Sequence, residues 1–230
     1  VGGIHESSPG LAVHVTAGKI NRAKFGRIIA DAVAAADAVV ALVAGSDAST
    51  AAGQARAAIP DGALYADRKR DGEGAYSLSP VSLTAVPAGT RLVLPSPNGS
   101  TLSLATEGVP TLAGCLRNAE VVAAKAGQLG KRISVIAAGE RWRQDDSLRP
   151  SLEDLLGAGA ILSYLRGSWS VEVGTAVASF QHAQSDLLGT LLRCGSGKEL
   201  VGRGFEPDVH LAAQLNVSRA APLLVNGAYT

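Results

Sequence analysis

Helix-spaced segments and short valine-rich runs alternate along this chain. The alternation predicts an α/β fold, with mostly parallel sheet flanked by helices. Three observations carry the prediction. Phe25, Ile28, Ile29, Ala32, Val33 and Ala36 recur at helical spacing. Residues 38–44 form a short apolar run rich in valine, which suits a buried strand, and residues 133–138 read as a strand as well. Polar segments follow several such runs, at the strand ends where open parallel sheets bind ligands.

Taken in order, residues 22–37 are expected as a helix and 38–44 as a strand. Asp47 can cap a helix over roughly residues 48–58. Residues 63–66 make a weak strand, and the charged, glycine-containing stretch 67–76 an exposed loop. Residues 91–94 form a strand, followed by Ser96-Pro97-Asn98-Gly99-Ser100 and a short helix. Residues 109–113 are a strand weakened by Pro110. Asn118 caps a helix that runs to Leu129 and ends at Gly130. Residues 133–138 are the clearest strand. After a polar loop, Ser151 opens a helix through about residue 166, with Glu153 and Asp154 in its first turn. The remainder is mainly helical, ending in a short apolar segment at 222–225. There is no short-period repeat and no Ser- or Pro-rich linker. The expectation is a single domain over residues 1–230, whose change of character near 76–89 suits lobes over about 1–75 and 76–230.

Composition narrows the function. With 230 residues, 47% of them hydrophobic and 18% charged, the chain can bury a sizeable core and is not disordered as a whole. A net charge of +1 argues against a protein that coats nucleic acid or an anionic membrane. Three Phe, four Tyr and two Trp leave few stacking platforms for single-stranded nucleic acid. Two cysteines, Cys115 and Cys194, make neither a disulfide framework nor a zinc site, so a reducing, cytoplasmic setting is expected. No signal peptide or membrane span is expected, since the longest apolar stretch, 32–44, is short and contains Asp37. The chain begins with Val1 and holds no methionine, which points to a non-AUG start or a missing N-terminus.

Three polar segments fall at expected strand ends. In Ser96-Pro97-Asn98-Gly99-Ser100, Gly99 permits close backbone approach, and free N–H groups at the next helix start favour a phosphate or sulfonate. An ordinary Asn-Gly turn explains the same residues. In Gly139-Glu140-Arg141-Trp142-Arg143, Glu140 suits a metal ligand or general base, and Arg141 or Arg143 suits an anion partner. A solvated charged loop is the alternative. Arg68 to Gly74 form the third segment. Glu153 and Asp154 either complement the helix dipole or hold Mg²⁺, which prefers oxygen ligands.

Other motifs fail. Gly195-Ser196-Gly197-Lys198-Glu199 is P-loop-like, but Leu192 stands where the first glycine belongs and Glu199 where Ser or Thr belongs. No G-x-S-x-G elbow and no complete G-x-G-x-x-G is present. His5, His14, His182 and His210 are isolated from one another.

Several segments together carry a family likeness. They are Tyr76-Ser77-Leu78-Ser79-Pro80, Arg91-Leu92-Val93-Leu94-Pro95 running on to Ser100, and Leu116-Arg117-Asn118-Ala119. Ala137-Ala138-Gly139-Glu140-Arg141-Trp142 and Ser147-Leu148-Arg149-Pro150-Ser151-Leu152-Glu153-Asp154-Leu155 follow. Ser196-Gly197-Lys198-Glu199-Leu200 and Gly204-Phe205-Glu206-Pro207-Asp208-Val209 complete the set. In their order and spacing over about residues 76–229, the chain resembles the 2-phosphosulfolactate phosphatase family, in an actinobacterial-like form.

The resemblance implies a Mg²⁺-dependent phosphomonoesterase that converts 2-phospho-3-sulfolactate, or a similar small phosphorylated hydroxy acid, to 3-sulfolactate and phosphate. In methanogens that step belongs to coenzyme M biosynthesis. It implies two similar lobes with a site between them. It assigns Asn98, Gly99 and Ser100 to phosphate or sulfonate contacts, with Gly139 and Arg141 also on the substrate. Glu140 and Asp154 become the catalytic pair, and Glu153 and Asp154 the metal carboxylates. A homodimer is expected only because symmetric dimers are common. Residues 1–60 lack the family's early Asp-Val-Leu-x-x-Thr-type segment, and Asn21 stands where its acidic residue belongs. That departure carries the alternative of a diverged, catalytically impaired small-anion binding protein on the same scaffold.

Overall fold

A computed structural model describes residues 10–14, 38–42, 64–66, 76–88, 90–94, 102–103, 105–106, 108–142, 144–145 and 147–230. The helices expected over 22–37 and 48–58, the loop at 67–75, Asn21, Arg68, Arg143, and the segment containing Asn98, Gly99 and Ser100 lie outside these residues.

The described residues form a mixed α/β fold. Five strands make one sheet: β1 (Gly10–His14), β2 (Ala38–Leu42), β5 (Thr111–Gly114), β6 (Ile133–Ile136) and β9 (Ser168–Trp169). Their order is β5-β2-β6-β1-β9. The pairings within it are parallel: Val40 lies opposite Val135, Val13 opposite Val135 from the other side, and Leu42 opposite Gly114. β6 is flanked on both edges, and each of its four residues is buried, including Ser134. A strand with both faces covered shows no polar alternation, and the small Ser134 is buried among apolar neighbours of the strand. Two short strands, β3 (Leu64–Tyr65) and β4 (Leu92–Val93), pair separately in parallel.

The helices bury stripes set by their periodicity. After a short helix, α1 (Pro80–Leu83), α2 (Ala119–Leu129) buries Ala119, Val122, Ala123 and Ala126, one face of a 3.6-residue helix. Next, α3 (Leu152–Ser163) is buried continuously from Leu156 to Leu162, so it lies in the middle of the core. Its neighbour α4 (Val171–Ala183) turns Val173, Ala176, Val177 and Phe180 inward. Gly159 lets the two backbones touch: a Cβ there would lie 2.1 Å from the Ala176 carbonyl oxygen. The rest of the helical part is α5 (Leu187–Arg193), α6 (Gly195–Gly202) and α7 (Glu206–Ala212).

Two expectations are corrected and one is refined. Asn118 precedes α2, but its side chain makes no cap bond to that helix. Its Oδ1 accepts the Cys115 N–H at 2.8 Å, and its Nδ2 donates to the carbonyls of Ala113 and Ala220. It ties the end of β5 to the C-terminal segment. The apolar end at 222–225 is part of a hairpin, β10 (Leu224–Val225) with β11 (Ala228–Tyr229). Asn226 and Gly227 turn it with φ of 51° and 81°, the left-handed pair that such tight turns require. The polar stretch after β6 is a hairpin as well: β7 (Glu140–Arg141) pairs antiparallel with β8 (Leu148–Arg149). Among the described residues, no helix is long and apolar enough to cross a membrane.

Candidate active site

The site grows from the carboxyl end of β6. Beyond Ile136 the chain reaches Gly139 in the left-handed region, φ 71°. A Cβ there would lie 2.9 Å from Leu148 Cδ1 and 3.1 Å from the Arg149 carbonyl, so glycine is required twice over. The turn leads into β7, returns along β8, and passes through Pro150 and Ser151 into α3. Short connections therefore bring Gly139, Glu140, Arg149, Glu153 and Asp154 together.

Asp154 is the centre. It is 4% exposed, and its Oδ2 accepts the Gly139 N–H at 2.6 Å. Burial is the main reason its carboxyl sits well above the usual aspartate range. Glu153 and Glu140 push it further up, and only the Gly139 N–H opposes them. Glu140, which follows Gly139 in the chain, adds a smaller charge effect than Glu153 does. The helix-dipole account of Glu153 and Asp154 is therefore incomplete. An exposed first-turn acid would gain from the dipole, whereas Asp154 is buried and held by a backbone donor from another element.

The hairpin register decides which arginine joins this face. Glu140 lies opposite Arg149, and Arg141 opposite the buried Leu148. Directly opposed residues share a face and successive ones alternate, so Arg149 starts from the face of Glu140 and Arg141 from the other. Trp142 returns to the first face, and the Arg149 guanidinium lies 5.6 Å from its ring centre. Arg149 also pairs with Glu199 at 3.5 Å.

A third element closes the site. Cys194 precedes α6, and its Sγ accepts the Gly197 N–H at 3.3 Å while donating to Glu153 Oε2 at 3.7 Å. Burial raises the thiol pKa and Glu153 raises it further, so the sulfur stays a protonated donor and is not a thiolate nucleophile at neutral pH. Gly195 packs on Arg149: a Cβ added to it would lie 3.2 Å from Nη1. The P-loop-like string thus forms a helix start at this site. Its second glycine is a packing requirement, since a Cβ on Gly197 would lie 1.8 Å from the Leu191 carbonyl oxygen.

Of the expected site residues, the structure brings Gly139, Glu140, Glu153 and Asp154 together and roots Arg141 on the alternate face. Arg149, Cys194 and Gly195 join the group, although the sequence alone does not mark them as site residues. Another pair of residues from the family-like segments meets elsewhere: buried Asp208 accepts the Ser79 hydroxyl at 2.5 Å and the Val81 N–H at 3.2 Å. That contact fixes α1 against α7. Among the described residues, no group of three His, Cys, Asp or Glu is placed to hold a metal ion.

Comparison with known proteins gives a consistent set of relatives. A family model described as 2-phosphosulpholactate phosphatase matches residues 69–227. The 2-phosphosulfolactate phosphatase of Methanothermobacter thermautotrophicus is 30% identical over 139 residues, covering 60% of this chain and 58% of the relative. The probable 2-phosphosulfolactate phosphatase of Carboxydothermus hydrogenoformans is 34% identical over 137 residues, covering 58% and 55% respectively. The corresponding Deinococcus radiodurans protein is 32% identical over 156 residues, covering 65% and 62%. The chain spans less than two thirds of the length of each of these relatives.

Proposed function

Because the chain belongs to the 2-phosphosulfolactate phosphatase family, we propose that it is a phosphoric monoester hydrolase that releases phosphate from 2-phospho-3-sulfolactate or a similar small phosphorylated hydroxy acid. The observation that carries this reading is Asp154: a buried carboxyl at the end of the central strand, held by the Gly139 N–H and crowded by Glu140 and Glu153. Charge from Glu153 and, less, Glu140 disfavours a second negative charge on Asp154, and the two natural remedies are a proton or a cation.

The residues suit a magnesium ion in a limited way. Glu153 and Asp154 offer oxygen ligands, and magnesium commonly takes one or two protein carboxylates, with waters and substrate oxygens as the rest. When bound, the ion would offset phosphoryl charge and make a bound water more acidic. The protein groups have their own tasks. Gly139 fixes Oδ2 of Asp154, which leaves Oδ1 to face a ligand or hold a proton. Glu140, on the hairpin, is the base that takes a proton from the attacking water. A carboxyl held as high as that of Asp154 can instead keep a proton for the leaving alkoxide oxygen. The Asn98-Gly99-Ser100 loop and Gly139 are assigned to substrate oxygens, as is Arg141. The same reading includes magnesium dependence, a place in coenzyme M biosynthesis where that pathway exists, and a cytoplasmic setting.

The test is phosphate release from 2-phospho-3-sulfolactate, 2-phospholactate and an aryl phosphate, in Mg²⁺ and in EDTA. Mg²⁺-dependent release with preference for the hydroxy-acid esters is expected. Folded protein that releases phosphate from none of them would overturn the reading.

A further inference from the structure

We propose that Arg149 binds the non-transferred oxyanion, sulfonate or carboxylate, of the phosphorylated hydroxy acid; the inference rests on the proposed phosphatase reading. Arg149 is a permanent cation whose side chain is only 16% exposed, so it has lost most of its water. Among the described residues its one hydrogen bond is long, 3.5 Å, to Glu199, whose own side chain is 65% exposed. A guanidinium carries five N–H donors in a planar fork, and that single contact leaves most of the fork unfilled. Two of its other neighbours cannot fill it. The Trp142 ring offers a face and no acceptor. Gly195, the first residue of α6, also lies against it.

That placement is electrostatically unbalanced. The N-terminus of a helix is its positive end, so the half-buried guanidinium beside it adds to the positive charge on that side. Two hydroxyls close by in sequence, Ser151 Oγ before α3 and Ser196 Oγ in the first turn of α6, are buried and unpartnered. A tetrahedral or planar oxyanion would offset the positive charge there, accepting two bonds from the guanidinium fork. The acidic group of Glu140, Glu153 and Asp154 is on hand for the phosphoryl end. The substrate class carries anions at both ends of a three-carbon unit, which requires a cationic contact besides the one that handles phosphate. Arg149 suits that role better than Arg141 because the hairpin register places it beside Glu140.

The experiment compares Arg149→Gln and Arg149→Lys with the wild type on 2-phospho-3-sulfolactate, 2-phospholactate and 4-nitrophenyl phosphate, with circular dichroism as the check on folding. Loss of charge-assisted bonds predicts a fall in kcat/KM of about 10- to 100-fold, mainly through KM. A fall confined to phosphosulfolactate assigns the sulfonate. A fall shared with phospholactate but not with the aryl ester assigns the carboxylate. Arg149→Lys, which keeps the charge and loses the fork, is expected in between. An equal fall on all three substrates would place Arg149 on the phosphoryl group and overturn the proposal, as would no change on any of them. Should the wild type hydrolyse none of the three, the phosphatase reading fails by itself. Arg149 is then judged by calorimetric titration with sulfolactate and lactate: binding to the wild type that weakens at least tenfold in Arg149→Gln supports the assignment, and equal or absent binding refutes it.

Discussion

The contact of α3 with α4 fixes the helix that carries Glu153 and Asp154, and a single methyl group tests it. In Gly159→Ala the new Cβ would lie 2.1 Å from the Ala176 oxygen, 2.7 Å from the Ala176 carbonyl carbon and 2.8 Å from Phe180 Cβ. The two closest obstacles are backbone atoms, which cannot rotate away. The helices must therefore part by about 1 Å to restore ordinary contact in a close-packed core. Overpacking of this kind costs about 1–3 kcal/mol, and immovable obstacles place it at the upper end. Alanine returns up to about 1 kcal/mol through helix propensity, so a net loss of roughly 2 kcal/mol is expected. For a chain of this size that lowers Tm by roughly 4–8 °C. Gly174 is the control: it lies in α4, and a Cβ there meets nothing within 4 Å. Gly174→Ala should stabilise the protein by up to about 1 kcal/mol. Urea titration of the two variants beside the wild type measures both signs. Gly159→Ala within about 0.5 kcal/mol of the wild type, the scale of a neutral surface change, would refute the close helix contact.

Two further predictions concern the site. The Asp154 carboxyl holds its proton more tightly folded than unfolded, so stability is fully present below the ordinary value of 3.8 and falls as pH rises through the elevated folded pKa. Asp154→Asn keeps an acceptor for the Gly139 N–H and never ionises. In EDTA it should melt above the wild type at neutral pH, with the gap closing as pH falls toward 3.8, which thermal scans across pH would check. Gly195→Ala puts a methyl 3.2 Å from Arg149 Nη1, the movable end of a side chain, so the guanidinium shifts by a few tenths of an ångström. Stability should change by less than about 1 kcal/mol, while kcat/KM falls roughly 3- to 10-fold in steady-state assays.

The sequence was most legible where local and tertiary preferences agree. The valine-rich run at 38–42 and the run at 133–136 became neighbouring strands of the sheet, and the full burial of 133–136 needs no alternation. The α3 start was visible in Ser151, Glu153 and Asp154, although the burial of Asp154 was not: first-turn acids look alike in sequence whether exposed or buried. The 140–149 hairpin was hidden because its strands are two residues each, too short for a period to show. Without it, Arg141 and Arg149 could not be told apart, and the register separates them. Cys194 lies 41 residues beyond Glu153, a meeting that depends on how α3 and α6 pack. The P-loop-like string at 195–199 already failed in sequence at Leu192 and Glu199, and the contacts of Gly197 are with its own preceding helix. The Asn226-Gly227 turn was a readable signal, since that dipeptide between apolar residues is the usual mark of a two-residue hairpin.

Asp154 stands at the centre of the proposed hydrolytic site. Its most direct test is phosphate release from 2-phospho-3-sulfolactate by the wild type and by Asp154→Asn, each shown to be folded, in Mg²⁺. Release by the wild type and a loss of at least about 100-fold in the variant are predicted, on the scale of removing an acid–base or metal-holding group. Turnover in Asp154→Asn equal to that of the wild type would contradict the account.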